Sequence, residues 1–201
     1  MLAWTRRALA ATWLTLVLVG LALPADAVEP GAARAFVGDL ADRATAILNS
    51  DAADETRRDG LRDLLNEGFD VAFIARSVLG PPFRELSEAQ RADYVAAFER
   101  WLVASYASRL DEYNGQRLEI VGAEAQGQQD VRVVSRVTGD QTPVRIDWRV
   151  RDRDGRLQII DVEVEGVSMT VSQRQEFSSV VQRRGVDGLI ALLRERSASL
   201  G

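Results

Sequence analysis

Along the first half of the chain, apolar residues recur every three or four positions; beyond Gly115 they recur every second position. From Pro30 to Asn49 they fall at Ala33, Phe36, Val37, Leu40, Ala44, Ile47 and Leu48, which predicts an amphipathic helix. A second helix is expected over 55–66, with Leu61, Leu64 and Leu65 inward, and a third over 70–79, stopped by Gly80-Pro81-Pro82. Ser87-Glu88-Ala89-Gln90 has the form of a capping box, Ser87 as N-cap and Gln90 reaching back. It opens a long helix whose inner face carries Tyr94, Phe98, Trp101, Leu102, Ser105 and Tyr106 and which ends near Asn114-Gly115.

The second half predicts strands over 118–125, 131–137, 143–151 and 157–164. Val131, Val133, Ser135 and Val137 share one face of the second strand. Val144, Ile146, Trp148 and Val150 do so on the third, with Arg145, Asp147, Arg149 and Arg151 opposite. On the fourth, Ile160, Val162 and Val164 share a face, while Leu157 and Ile159 break the alternation. Short turns between successive strands, such as Asp152–Gly155, imply an antiparallel meander, wet on its Arg face and covered by helices on the other. Two closing helices are expected over 171–184 and 186–196, with Gly185 between them. The whole reads as one α+β domain.

Residues 1–27 do not belong to that domain. Arg6 and Arg7 precede an apolar run from Ala8 to Leu23, and Ala25-Asp26-Ala27 supplies the small-x-small pattern of a cleavage site. The run is shorter than the roughly 20 residues a membrane-spanning helix needs, so a signal peptide cleaved after Ala27 is the better reading than an anchor. The expected mature domain is 28–201, exported to a periplasm. That compartment holds no ATP, and a chain without Cys needs no disulfide there.

Composition then removes most chemistry. The 201 residues include no His and no Cys, which excludes Ser–His–Asp triads, Cys–His nucleophiles and His or Cys metal sites. All 25 basic residues are Arg, so Schiff-base lysines are also excluded. A net charge of −5 argues against nucleic acid as a ligand. What remains is the acidic run Asp161, Glu163, Glu165 with Ser168 nearby. Paired carboxylates can work as general acid and base when burial separates their pKa values. Here they lie opposite a core face and are placed to pair with Arg145, Arg149 or Arg151 across strands, which needs no catalysis. No spaced loop with a Gly turn suits Ca²⁺, and no metal is expected. The Arg stripe reads either as a solvated sheet face or as a surface for anions or lipid headgroups. The aromatic helix face reads either as packed core or as cavity wall, and periodicity does not separate the two.

Three stretches carry a resemblance. The first comprises Val78-Leu79-Gly80, Phe83-Arg84, Ser87, Ala89-Gln90-Arg91, Tyr94, Ala96-Ala97-Phe98, Tyr106 and Tyr113-Asn114-Gly115. The second is Asp161-Val162 followed by Glu165-Gly166-Val167-Ser168-Met169, and the third is Arg174, Glu176-Phe177 and Gly185-Val186-Asp187-Gly188-Leu189. In order and spacing these resemble the MlaC, or toluene-tolerance, family of periplasmic phospholipid-binding proteins, over most of the mature chain.

The resemblance implies a nuclear-transport-factor-2-like α+β fold, with helices packed on a curved antiparallel sheet that encloses an apolar pocket. It implies a non-enzymatic carrier of the Mla lipid-transport pathway, without cofactor, holding a diacyl phospholipid by its tails. Lipid would pass between an outer-membrane lipoprotein–porin complex and an inner-membrane ABC transporter with an MCE-domain protein. By position, Tyr106, Val144 and Val167 would line the tail pocket. Strand alternation adds Val133, Ile146, Trp148, Val162 and Val164, and the aromatic helix face adds Phe98. Two alternatives stand beside it: a hopanoid-carrying member of the same family, and a small periplasmic enzyme on the same fold using Tyr94, Tyr106 or Asp161.

Overall fold

The computed structural model describes residues 28–107, 115–139 and 142–200. The expected signal peptide and the end of the long helix near Asn114 lie outside the described residues. Five α-helices and one five-stranded sheet follow in the order α1 (Pro30–Leu48), α2 (Asp54–Gly68), α3 (Val71–Leu79), α4 (Glu88–Ala107), β1 (Arg117–Gln126), β2 (Asp130–Thr138), β3 (Val144–Arg153), β4 (Arg156–Val164), β5 (Val167–Ser168) and α5 (Met169–Leu200). A single 3₁₀ turn, Pro81–Arg84, links α3 to α4. The fold is α+β, helices first and meander second.

Local chemistry sets the helix ends. Asp70 caps α3 by accepting a hydrogen bond from the Phe73 amide at 2.9 Å. The capping box before α4 closes both ways: the Gln90 amide donates to Ser87 Oγ at 3.3 Å, and the Ser87 amide to Gln90 Oε1 at 3.2 Å. Within α5, Gly185 has φ 68° and ψ 179°, a conformation that side chains avoid, so this segment is two helices joined at a bend. That matches the two closing helices expected from the sequence.

The sheet is antiparallel throughout, in the order β1-β2-β3-β4-β5, and open. The irregular alternation of β4 has a structural cause. The register slips between Arg149 and Val150, because Arg149 faces Asp161 while Val150 faces Ile159. Ile160 is the extra residue of a β-bulge, so the inward side chains before it are Leu157 and Ile159, and after it Val162 and Val164. Ile160, which has no partner on β3, is 2% exposed. Where β5 has ended, the edge of β4 is taken by Phe69, which bridges to Ile159, and the Asp70 amide donates to Ile159 O at 3.0 Å.

Two packed clusters result. In one, Ala33, Val37 and Leu40 of α1 and Leu64 of α2 press on Val131, Val133, Val150 and Ile159 of the sheet. In the other, α3, α4 and α5 enclose an aromatic group in which Phe98 touches Tyr94, Trp101 and Phe177. Tyr94 is fully buried and donates from its hydroxyl to Ala75 O at 3.0 Å; burial pushes its pKa well above the usual phenol value. Phe69 packs against both clusters.

The Arg face of the sheet is ion-paired, in a pattern different from the expected one. Arg149 and Arg151 converge on Asp130, with Nε atoms 2.6 and 2.5 Å from its two oxygens. Arg145 binds Asp147 through two bonds of 2.8 and 2.7 Å. Asp130 and Asp147 are each only 4% exposed. Thus the partners of Arg145, Arg149 and Arg151 are Asp130 and Asp147, and Asp161 turns instead to Ser168 and the start of α5.

Burial alone would raise the Asp130 pKa, but the hydrogen bonds and charges of Arg151 and Arg149 outweigh it and hold the carboxyl below its ordinary value. A group depressed in the folded state stabilises the fold above its unfolded pKa, about 3.9, and that contribution fades as pH falls through the lower folded value. Acid titration of unfolding should therefore show a steeper loss below about pH 4 in the wild type than in Asp130→Asn. Equal acid limbs in the two proteins, measured by circular dichroism, would remove Asp130 as the cause.

Candidate functional site

Registers place the inward residues of neighbouring strands side by side, in rows across the sheet. The first row joins Val131, Val150 and Ile159, and the second Val133, Trp148 and Val162. The third joins Ile120, Ser135, Ile146, Val164 and Val167, and the fourth Leu118, Val137 and Val144. Along β3 and β4 burial falls in this series, while Val133 and Ser135 of β2 stay fully buried. The first row is sealed at 0–1% exposure; Trp148, Val162, Ile146, Val164 and Val137 are half-buried; Val144 is 37% and Val167 54% exposed. Helix α1 covers the sealed end. At the other end Leu118 and Ile120 of β1 still pack against that cluster, but Ile146, Val164, Val137 and Val144 belong to neither, so on β3 and β4 the inner face emerges there as apolar surface.

Met169 and Val171, at the start of α5 just after Val167 and Ser168, are 36% and 49% exposed. Single exposed apolar residues need no explanation, but Val144 and Val167 emerge from an inward-facing apolar sheet surface, which makes this end of the face the candidate site.

The segment Glu165–Met169 builds the rim one residue at a time. Glu165 and Gly166, at φ 50° and 79°, form the two-residue turn between β4 and β5. Glu165 also clamps this turn to β3: its amide donates to Arg145 O at 3.0 Å, and its Oε1 accepts from the Arg145 amide at 2.5 Å. Val167 is thereby held at the open end, beside Val164. Ser168 Oγ accepts from the Val171 amide at 3.1 Å, capping α5, and donates to Asp161 Oδ2 at 2.6 Å. Asp161 Oδ1 accepts from the Thr170 amide at 3.2 Å and from the Val162 amide at 2.9 Å. Asp161 and Ser168 together join the sheet to α5, which accounts for an acid and a hydroxyl at these positions.

Trp148 is fixed on two sides. Its Nε1–H donates to Ser135 Oγ at 2.9 Å, Ser135 in turn donates to Ile146 O at 2.9 Å, and the indole meets the Phe69 ring edge-on with centroids 6.5 Å apart. The buried hydroxyl of Ser135 and the indole N–H thus satisfy each other inside an apolar face.

Of the nine site residues expected from sequence, the rows bring together seven: Val133, Val144, Ile146, Trp148, Val162, Val164 and Val167. Val133 is fully buried under α1, so it backs the surface from below. Tyr106, near the described end of α4, is 52% exposed. Phe98 lies apart, 1% exposed among the rings of the helical cluster. Sequence reasoning left out Val137, which shares the inner face of β2 and pairs with Val144. An open depression on α4, lined by Ala89, Gln90, Ala92, Asp93 and Ala96, includes none of these residues. Among the described residues no cluster of acids suits a metal, and no helix is long and apolar enough to cross a membrane.

The family model named MlaC protein matches residues 39–195, most of the chain and both halves of the fold. The chain belongs to the MlaC family. Among MlaC relatives, it is 24% identical over 134 residues to the intermembrane phospholipid transport system binding protein MlaC of Haemophilus influenzae. That match covers 64% of this chain and 62% of the other. It is 26% identical over 175 residues to toluene tolerance protein ttg2D of Pseudomonas putida, covering 86% of this chain and 79% of that one. A phospholipid-binding protein from Ralstonia solanacearum, solved in complex with a phospholipid, has the same fold. Its TM-score is 0.73 at 23% identity, over 84% of this chain and 98% of that one. The resemblance read from Glu165–Met169 and the flanking stretches thus holds at the level of family.

Proposed function

We propose that this MlaC-family protein is a periplasmic phospholipid carrier, residues 28–201 forming the lipid-binding domain after removal of 1–27. The acyl tails lie against the open end of the sheet, on Ile146, Val164, Val144 and Val167, and the headgroup stays in solvent. The observation that carries this reading is the burial gradient along β3 and β4: an apolar sheet face sealed by helices at one end and reaching Val144 and Val167, 37% and 54% exposed, at the other. The names of the Haemophilus and Ralstonia proteins, which refer to phospholipid, support the choice of ligand.

The physics of the task fits the composition. Each methylene moved into water costs about 0.8 kcal/mol, so two tails of ordinary length cost on the order of 20 kcal/mol, and unaided crossing of an aqueous compartment is negligible. A carrier supplies apolar cover inside a charged exterior and needs no reactive group. Leaving the phosphate outside avoids an unpaired buried charge. Tyr94 and Asp161, two of the residues an enzyme on this fold would use, are committed to Ala75 O and to the start of α5. With no nucleotide motif in the chain, direction comes from its partners: an outer-membrane lipoprotein–porin complex and an inner-membrane ABC transporter with an MCE-domain protein.

Native mass spectrometry of the purified mature protein, followed by solvent extraction, tests this. Near-stoichiometric diacyl phospholipid is the expected result. A polycyclic lipid such as a hopanoid would change the cargo. A protein that arrives empty and takes nothing from phospholipid vesicles would overturn the reading.

A further inference from the structure

We propose that Trp148 is the floor of the tail site and sets the length of acyl chain the protein holds, with Ser135 as its positioning residue. This rests on the carrier reading above. Trp148 stands where the inner face changes character: the row behind it is solid at 0–1% exposure, and ahead of it on β3 Ile146 is half-buried and Val144 37% exposed. Its indole reaches from its own row to Ser135 in the next row toward the opening. Ser135 is fully buried although it lies in a row whose neighbours Ile146 and Val164 are only half-buried. A wide, rigid ring held by a hydrogen bond on one side and by Phe69 on the other forms a wall across the path of any tail entering from the open end. Val144 and Trp148 are four residues apart on β3, a run of roughly 13 Å. A longer tail must curl back or leave methylenes in water, and each methylene that loses cover weakens binding about fourfold.

The floor predicts a length optimum that moves when the ring is cut down. The mature protein is incubated with an equimolar mixture of vesicle phosphatidylglycerols bearing saturated tails of about 12 to 20 carbons, and occupancy is read by native mass spectrometry. The wild type should favour one length, with occupancy falling severalfold beyond it. Trp148→Leu and Trp148→Ala should move that optimum by two carbons or more, and Trp148→Phe, which disturbs packing least, by less. Ser135→Ala, which frees the ring without shortening it, should flatten the contrast between successive lengths. Folded, lipid-loaded Trp148→Leu or Trp148→Phe protein with the wild-type profile overturns the floor and leaves the carrier intact. A wild type that takes up no lipid overturns both.

Discussion

Val144→Glu should abolish lipid loading while leaving the protein folded. Val144 is 37% exposed and belongs to neither packed cluster, so a polar residue there removes little from the free protein. In the proposed site, the same carboxylate would face the tails. The nearest strand neighbour with a positive charge, Arg145, points to the opposite face and is bound to Asp147. An uncompensated charge against hydrocarbon costs several kcal/mol even after relaxation, and 1.4 kcal/mol is tenfold in affinity, so occupancy should fall by on the order of a hundredfold or more. Val144→Ala, which only loses methyl contacts, should bind nearly as the wild type does. Val167→Glu, at the end of the adjoining row, should reproduce the loss. Circular dichroism establishes folding and native mass spectrometry reads occupancy. Normal loading of both folded Glu variants would move the tails off this face.

Most of the architecture was legible because each element announces its own period. The helices at 30–48 and 71–79, the capping box and the break at Gly185 are local events, decided by side chains within a few residues of one another. The bulge at Ile160 was visible only as noise. Leu157 and Ile159 contradict Val162 and Val164 until one extra residue is inserted, and only the partner strand shows where it goes. Ion pairing on the Arg face was misassigned for the same reason: Asp130 reaches Arg149 and Arg151 because of strand register, which alternation does not contain.

The site was half legible for a different reason. Alternation tells which residues share a face, and so it assembled Val144, Ile146, Trp148, Val162 and Val164 correctly as neighbours. It cannot tell how far a covering helix extends. Val133 and Val144 have the same periodicity, yet one lies under α1 and the other emerges. The gradient between them depends on where α1 stops covering the sheet, a property of three-dimensional packing. The Glu-Gly-Val-Ser-Met segment shows the converse. Its residues look like a weak motif in one dimension, but each performs a separate task in space: a clamp on β3, a turn, an apolar rim residue, a helix cap and the first helical residue.

Phe98 separates core from lining most sharply. The aromatic face of α4 fits a wall of the tail site and a packed interior equally well by spacing, whereas the structure surrounds Phe98 with Tyr94, Trp101 and Phe177 at centroid distances of 6.1, 5.5 and 6.3 Å and leaves it 1% exposed. Removing a ring from so tight a setting loses its transfer energy and leaves a cavity that rigid neighbours cannot fill. Phe98→Ala should therefore cost about 3–5 kcal/mol, a drop in melting temperature of roughly 10 °C or more. Lipid should not select against it: below its lowered transition, the variant should carry phospholipid at wild-type stoichiometry and with the wild-type preference for tail length. If Phe98 lined the tails instead, the free protein would lose little stability and occupancy would fall. Thermal unfolding of delipidated protein, set beside native mass spectrometry of the loaded form, distinguishes the two. The same pair of measurements on Val144→Glu should give the opposite pattern, stability kept and lipid lost. That crossing of effects is the expected signature if the helical core is packed solid and the tails are held at the open end of the sheet, as proposed.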